Sequence, residues 1–208
     1  MALTIPPGTS ETDGTTHVLR FAVPLPHPQE RVWLALATPG GLRGWLAVPE
    51  LLQCRLGGEA ELRFGGEPEA RTGTVTAWDV ERIAEYTVEG QGRFRFHLEP
   101  GGPEATRLRF TLELEGSEER RLDALADWHE RFLLLLDALD GHPADWTEWT
   151  ARADQAAGPA GSAGPDEAAG SAGPAGSSGP GGGARVGRGR ERWQELRDDY
   201  EARDYDAS

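Results

Sequence analysis

The side chains in this 208-residue chain whose types could do chemistry are five histidines, one cysteine and a paired set of arginines. His17, His27, His97, His129 and His142 do not recur at the spacing of a metal site, and Cys54 has no second thiol to join it, so no metal is expected. No strand–loop–helix stretch carries a Gly-rich phosphate cradle, and no cofactor is expected. Cys54 as a nucleophile would need a base brought to it by the fold, and an inert thiol is the simpler reading. His129 interrupts an apolar helical stripe one turn before Phe132. An imidazole there is either a core histidine bonded to a backbone carbonyl or a polar handle that orients a ligand or moves a proton. Arg93, Arg95 and His97, with Arg107 and Arg109 on the next strand, form a cationic face. It is either a solvated outer face paired with carboxylates or, in the opposite phase, a cavity lining for an anionic or carbonyl-bearing ligand. One bulge reverses a period-two phase, so both readings stand. Tyr86 joins His97 and His129 as an acid–base candidate, but the three form no ordered constellation.

The bulk composition narrows the partners. The formal net charge is −14, and the 21 basic residues are all arginine. An acidic chain gains nothing from counterion release along a phosphate backbone, so no nucleic acid is expected. No apolar run approaches the ~20 residues of a membrane span. Met1 to Thr16 lacks the basic and apolar regions of a secretory leader, and a single cysteine excludes an internal disulfide. The expected compartment is the cytoplasm.

These side chains are positioned by a pattern that changes period twice. Residues 17–23 alternate, with Leu19, Phe21 and Val23 on one face. Prolines 24, 26 and 28 break that strand and lead into a helix over Gln29–Ala37, where Val32, Trp33 and Leu36 fall at helical spacing. Pro39-Gly40-Gly41 stops it, and Leu42, Trp45 and Leu46 make a second short helical turn. From Glu50 to Glu115 the period is two: Ala60, Leu62 and Phe64; Thr72 to Trp78; Ile83 to Val88; Phe94, Phe96 and Leu98; and Leu108, Phe110, Leu112 and Leu114. Glycines at 65, 66, 90 and 92 mark the turns between them. From Glu118 to Asp140 the spacing becomes three and four, with Leu122, Leu125, His129, Phe132, Leu136 and Leu139 in the stripe and Trp128 and Leu135 widening it. Ser117 suits the N-cap and Gly141 the C′ position. Such a rod is roughly 30 Å long and must bury its stripe on the sheet.

A strand, two short helices, about six antiparallel strands and one long helix is the helix-grip order, an α+β fold in which a curved antiparallel sheet wraps around one long C-terminal helix. Pro28-Gln29-Glu30-Arg31-Val32-Trp33-Leu34-Ala35-Leu36 is similar to a family pattern P-x-E-x-V-W-x-A-L. Trp45-Leu46, Gly57-Gly58, Gly73-Thr74-Val75, Thr106-Arg107-Leu108, and Trp128 leading Phe132, Leu135 and Leu139 to Asp140-Gly141 follow in the expected order. Over about 125 of 208 residues the chain resembles the SRPBCC (START/Bet v1-like) superfamily, and within it the group named for the activator of Hsp90 ATPase (AHSA1-like).

The resemblance implies an elongated, mostly apolar cavity between sheet and long helix, and binding of a small hydrophobic or amphipathic ligand there. Walls would come from Trp33 and Trp45 of the short helical segments, from Phe64, Trp78, Tyr86, Phe94, Phe96 and Phe110 of the strands, and from Leu125, Trp128, His129, Phe132 and Leu136 of the long helix. A polyketide cyclase or dehydratase and an Hsp90-type co-chaperone are the alternatives, and there is room for a homodimer or another protein partner. No catalytic residue is assigned, and an enzyme is the less favoured reading.

The expected organisation is a disordered N-terminus at 1–16, the helix-grip domain at 17–141, a trailing segment at 142–155, a Gly/Ala/Pro/Ser linker at 156–187 and an amphipathic helix at 188–208. Glycine recurs at every third position through much of the linker, but the run is too short and interrupted for a collagen triple helix. Trp193, Leu196 and Tyr200 give the terminal helix one apolar edge. A helix that short is marginal alone, so it is expected to dock on the domain or on a second copy.

Overall fold

The computed structural model describes residues 4–65, 67–146 and 183–206, with side chains from 191 to 204 in the last stretch. Trp149, most of the trailing segment and the linker up to residue 182 lie outside the described residues. In chain order the elements are β1 (Thr9–Asp13), β2 (Thr16–Leu25), α1 (Gln29–Ala37), α2 (Pro39–Arg43), β3 (Ala47–Leu52), β4 (Glu59–Phe64), β5 (Arg71–Asp79), β6 (Ile83–Val88), β7 (Gly92–Gly102), β8 (Ala105–Glu115), α3 (Glu118–Leu139) and α4 (Gly183–Asp206).

All eight strands form one antiparallel sheet in the order β1-β2-β8-β7-β6-β5-β4-β3, curved around α3 in a helix-grip arrangement. Bulges at Pro49/Leu51, Val75/Ala77 and Pro100/Gly102 bend the strands. The bulge in β5 has a second effect. Val75 pairs with inward Tyr86 and Trp78 with inward Ala84, so two residues an odd number apart face the same side.

The inner face is apolar. Leu19, Phe21, Val23, Tyr86, Phe94, Phe96, Leu98, Leu108, Phe110 and Leu112 are all buried. The outer face carries ion pairs between neighbouring strands: Arg95 to Glu85 at 2.6 Å, Arg109 to Glu99 at 3.2 Å, and Arg93 to Glu113. The arginines of β7 and β8 therefore lie outside, and the solvated reading of that cationic face is the one the fold adopts.

Periodicity does not announce either edge strand. β1, read from sequence as part of a disordered N-terminus at 1–16, pairs residue by residue with β2, from Thr9 opposite Arg20 to Asp13 opposite Thr16. Its sequence, Thr-Ser-Glu-Thr-Asp, has no apolar alternation because an edge strand over solvent buries almost nothing, and its short acidic character also discourages further pairing. Ile5 ahead of it is 2% exposed, so the folded unit starts before residue 17. β3 contains Pro49, which an edge tolerates since that residue owes no ladder donor on the outer side. Pro39, expected to stop α1, instead opens α2 at its first turn, and Thr38 caps it by accepting from the Gly41 N–H at 3.0 Å.

The long helix α3 begins at Ser117, whose Oγ accepts from the Arg120 N–H at 3.3 Å, with Glu118 and Glu119 in the first turn. It ends before Gly141, held at φ 90°, a left-handed conformation suited to glycine. Leu122, Leu125, Trp128, Phe132, Leu135, Leu136 and Leu139 are buried along it, each worth roughly 1.5–3 kcal/mol gross.

Helix α4 runs antiparallel along α3. Arg192 pairs with Glu130 at 3.2 Å, Trp193 Nε1 donates to Asp127 at 2.6 Å, Arg197 pairs with Asp123 at 2.7 Å, and Asp204 meets Arg121 at 2.7 Å. Tyr200 is 4% exposed, and Trp193 and Leu196 pack against the same core.

Candidate functional site

Between the sheet and the middle of α3, aromatic side chains fill the space. Phe110 and Trp128 have ring centroids 4.1 Å apart; Phe132 lies 5.2 Å from both Phe21 and Phe110; Phe96 lies 5.4 Å from Phe110. Trp45 closes the group at 5.9 Å from Phe96, and its indole N–H donates to the Ala35 carbonyl at 3.0 Å. Tyr86, 5.5 Å from Phe94, donates its hydroxyl proton to the Leu36 carbonyl at 3.0 Å, and burial raises its pKa far above the ordinary phenol value. With its polar ends satisfied by backbone, this cluster is a packed interior.

The open space lies to one side of it. A cavity of about 780 Å³ separates one flank of α3 from the end of the sheet formed by β4, β5 and the β6–β7 turn. Its apolar wall comes from Trp128, Phe64, Leu46, Leu112, Leu114 and Leu134. Trp146 covers one end, donating to the Arg43 carbonyl. It fits only because residue 65 is glycine: a Cβ there would stand 2.1 Å from the indole ring. The rest of the lining is charged, from Glu67, Arg71, Glu119, Arg120, Asp123, Asp127, Glu130 and Arg131.

These charges are not equivalent. Glu67 accepts two hydrogen bonds from Arg71, at 2.7 and 2.8 Å, and Arg120 donates to the Gly90 carbonyl. Asp123, Asp127 and Glu130 are taken by Arg197, Trp193 and Arg192 of α4. Arg131 differs. Its guanidinium lies 4.9 Å from the Trp128 ring and 5.2 Å from that of Phe64, a double cation–π contact, with no hydrogen bond or ion pair among the described residues. Burial lowers its pKa, opposed by the nearby charges of Asp127, Glu67 and Glu130. An arginine starts so far above neutrality that the group remains a cation. Burial likewise raises Glu130, opposed by the charge and hydrogen bond of Arg192.

Of the residues singled out from the sequence, Phe64 and Trp128 line this cavity. Trp45, Tyr86, Phe94, Phe96, Phe110 and Phe132 belong to the filled aromatic interior. Trp33 and Trp78 meet each other at 5.1 Å where α1 lies against the sheet, and Leu125 and Leu136 are buried along α3. His129 faces the other side of α3. Its Nδ1 is 2.9 Å from the Tyr200 hydroxyl, which itself accepts from the Gly8 N–H at 2.8 Å. The direction of the His129–Tyr200 bond follows the imidazole tautomer, and burial lowers the His129 pKa below its ordinary value, which favours the neutral ring. The Tyr200 hydroxyl is pushed up to about 12 by burial.

Sequence reasoning did not single out Arg131, Arg71, Arg120 or the carboxylates held by α4. One signal was available: Arg131 stands three residues after Trp128, where an i, i+3 pair shares a face at the margin of the apolar stripe. Among the described residues no group of three His, Cys, Asp or Glu side chains could hold a metal ion, and no helix is long and apolar enough to cross a membrane.

No family model matches the chain, and no curated protein matches it. Solved structures do. The chain is similar to CalU16 from Micromonospora echinospora, at 17% identity over 100% of both chains with a TM-score of 0.63. It is similar to the Aha1 dimer from Colwellia psychrerythraea, at 20% identity over 61% of this chain and 98% of that one, with a TM-score of 0.51. DynU16, a protein in the dynemicin biosynthetic locus, aligns at 20% identity over 61% of this chain and 48% of its own, with a TM-score of 0.52. At these identities the likeness is one of fold, the helix-grip architecture described above.

Proposed function

We propose that the protein binds a small amphipathic molecule in the cavity between the sheet and α3. The observation that carries this is the composition of the cavity itself. A half-open pocket of about 780 Å³ pairs one apolar wall, centred on Trp128 and Phe64, with a rim of charged side chains. A concave site with an apolar wall and a few placed polar groups is the usual form of a small-ligand pocket. The filled interior beside it favours an amphipathic occupant over a purely apolar one, because the fully apolar volume is already taken by Phe110, Phe132 and Trp45.

Membership of the SRPBCC superfamily and its AHSA1-like group is part of the same proposal. It is supported by the motif order from Pro28 to Gly141 and by the fold shared with CalU16, DynU16 and the Aha1 dimer. A cytoplasmic setting, and a homodimer or other protein partner, are proposed on the same footing. The enzymatic alternative asks for acid–base groups aimed into the cavity. Tyr86 and His129 are committed to Leu36 and Tyr200, and His97 lies on the outward side of β7.

Native mass spectrometry of the protein from its own host tests the reading, with Ala124→Trp as the variant that fills the cavity. A small-molecule adduct on the wild type that is lost in Ala124→Trp is the expected result. An adduct that persists in the filled variant, or no adduct with any amphipathic compound supplied, would overturn it.

A further inference from the structure

Among the described residues, Arg131 is the cavity cation whose guanidinium touches aromatic faces and makes no hydrogen bond or ion pair. An arginine half-buried over two rings has one face covered, and its strong interactions are then left to the in-plane N–H edge, the geometry that grips a carboxylate or similar oxyanion in a bidentate manner. The neighbouring acids do not supply that partner. Glu67 is occupied by Arg71, and Asp123, Asp127 and Glu130 are each held by a donor on α4. Arg131 lies in the field of Glu67, Asp127 and Glu130 but bonds none of them, so its N–H edge is left for an anionic occupant.

We propose that the cavity ligand is a monoanionic amphiphile, with a flat or branched apolar body against Trp128 and Phe64 and one carboxylate or sulfonate-like group held by Arg131. This rests on the binding reading above and specifies the ligand's chemical class. A single negative charge is favoured over two because Glu67, Asp127 and Glu130 surround the arginine and would repel a second. The net charge of −14 makes long-range attraction of any anion unfavourable, so recognition must come from contact with Arg131 rather than from steering.

Two naphthalene probes of similar shape separate charge from apolar burial: anilinonaphthalene sulfonate, an anion, and N-phenylnaphthylamine, which is neutral. Both are titrated by fluorescence into the full-length folded chain, its Ala124→Trp variant and its Arg131→Gln variant, with near-UV circular dichroism to confirm native packing. Both probes are expected to bind the wild type and to be lost from Ala124→Trp. Arg131→Gln should weaken the sulfonate about tenfold or more, as expected for a lost charge-assisted hydrogen bond, and leave the neutral probe within about twofold. If the neutral probe binds in the cavity but the sulfonate is insensitive to Arg131→Gln, the anionic class is wrong and the binding reading stands. If neither probe binds, or both persist in Ala124→Trp, both fail. Glu67→Gln provides a second arm with the opposite sign. Removing that carboxylate should tighten the sulfonate, and an unchanged or weaker sulfonate affinity would overturn the inference even if Arg131→Gln does not fold.

Discussion

The two flanks of Trp128 are opposite solutions to the same packing problem. Toward the sheet its ring meets Phe110 at 4.1 Å and Phe132 at 5.8 Å, and the space is closed by aromatic edges and faces. Toward β4 the same ring borders about 780 Å³ of open space, and its nearest charged neighbour is an arginine with no ionic partner among the described residues. The second flank forfeits the close contacts of the first and leaves a cation without an ionic partner. The contrast teaches that a packed frame and an open pocket are separated by one side chain's width here, and the open flank is the one proposed to take a ligand.

The sharpest way to break this comparison is to truncate on each flank. Phe110→Ala, in the filled interior, is expected to destabilise the protein by about 3–5 kcal/mol in urea or guanidinium unfolding. A cost below about 1 kcal/mol would mean that the interior is not packed as described. Tyr200→Phe tests the opposite side of α3. It removes the hydroxyl that accepts from the Gly8 N–H and bonds His129, and should cost about 1–3 kcal/mol. No change in melting temperature would show that this hydroxyl contributes nothing to holding α4 on the domain.

A smaller effect is expected in the pH dependence of that same contact. His129 has a folded-state pKa below its ordinary 6.5, so its neutral form is the one the fold favours. The stability it contributes is complete above pH 6.5 and is lost as the pH falls through the lowered value. Glu130, raised by burial, shifts stability the other way, so the informative quantity is the difference between wild type and His129→Gln. That difference should shrink as pH drops below 6.5 in parallel denaturation series. A constant difference would place the proton elsewhere. The smallest stability effect belongs to the open flank: Arg131→Met should change unfolding free energy by less than about 1 kcal/mol or raise it slightly, because a desolvated charge is exchanged for an apolar side chain of similar length. A large loss would make Arg131 a structural residue.

The architecture was legible from the residues in unequal measure. Wherever one face of an element is buried and the other wet, the period survives in the sequence: Phe94, Phe96 and Leu98, Leu108 to Leu114, and the stripe of α3 with its Ser117 and Gly141 ends. Both edge strands escaped because β1 buries little and β3 carries Pro49, so neither displays the alternation that burial imposes. Trp78 shows the limit within a strand, since the bulge after Val75 changes the phase that counting by two would assign.

The site was less legible than the frame, for a physical reason. Local periodicity reports which side chains leave water, and by itself the chain determined the types of the inner elements, most of the inward aromatic set and the long helix that closes the sheet. It does not report whether the volume among those side chains is filled, which depends on ring orientations contributed by β2, β6, β7, β8 and α3 together. Nor does it show which carboxylates already have a donor, because Asp123, Asp127 and Glu130 find theirs more than sixty residues away on α4. Only the tertiary structure could therefore decide that His129 answers to Tyr200, that the interior is solid at Phe110, and that Arg131 faces the open cavity.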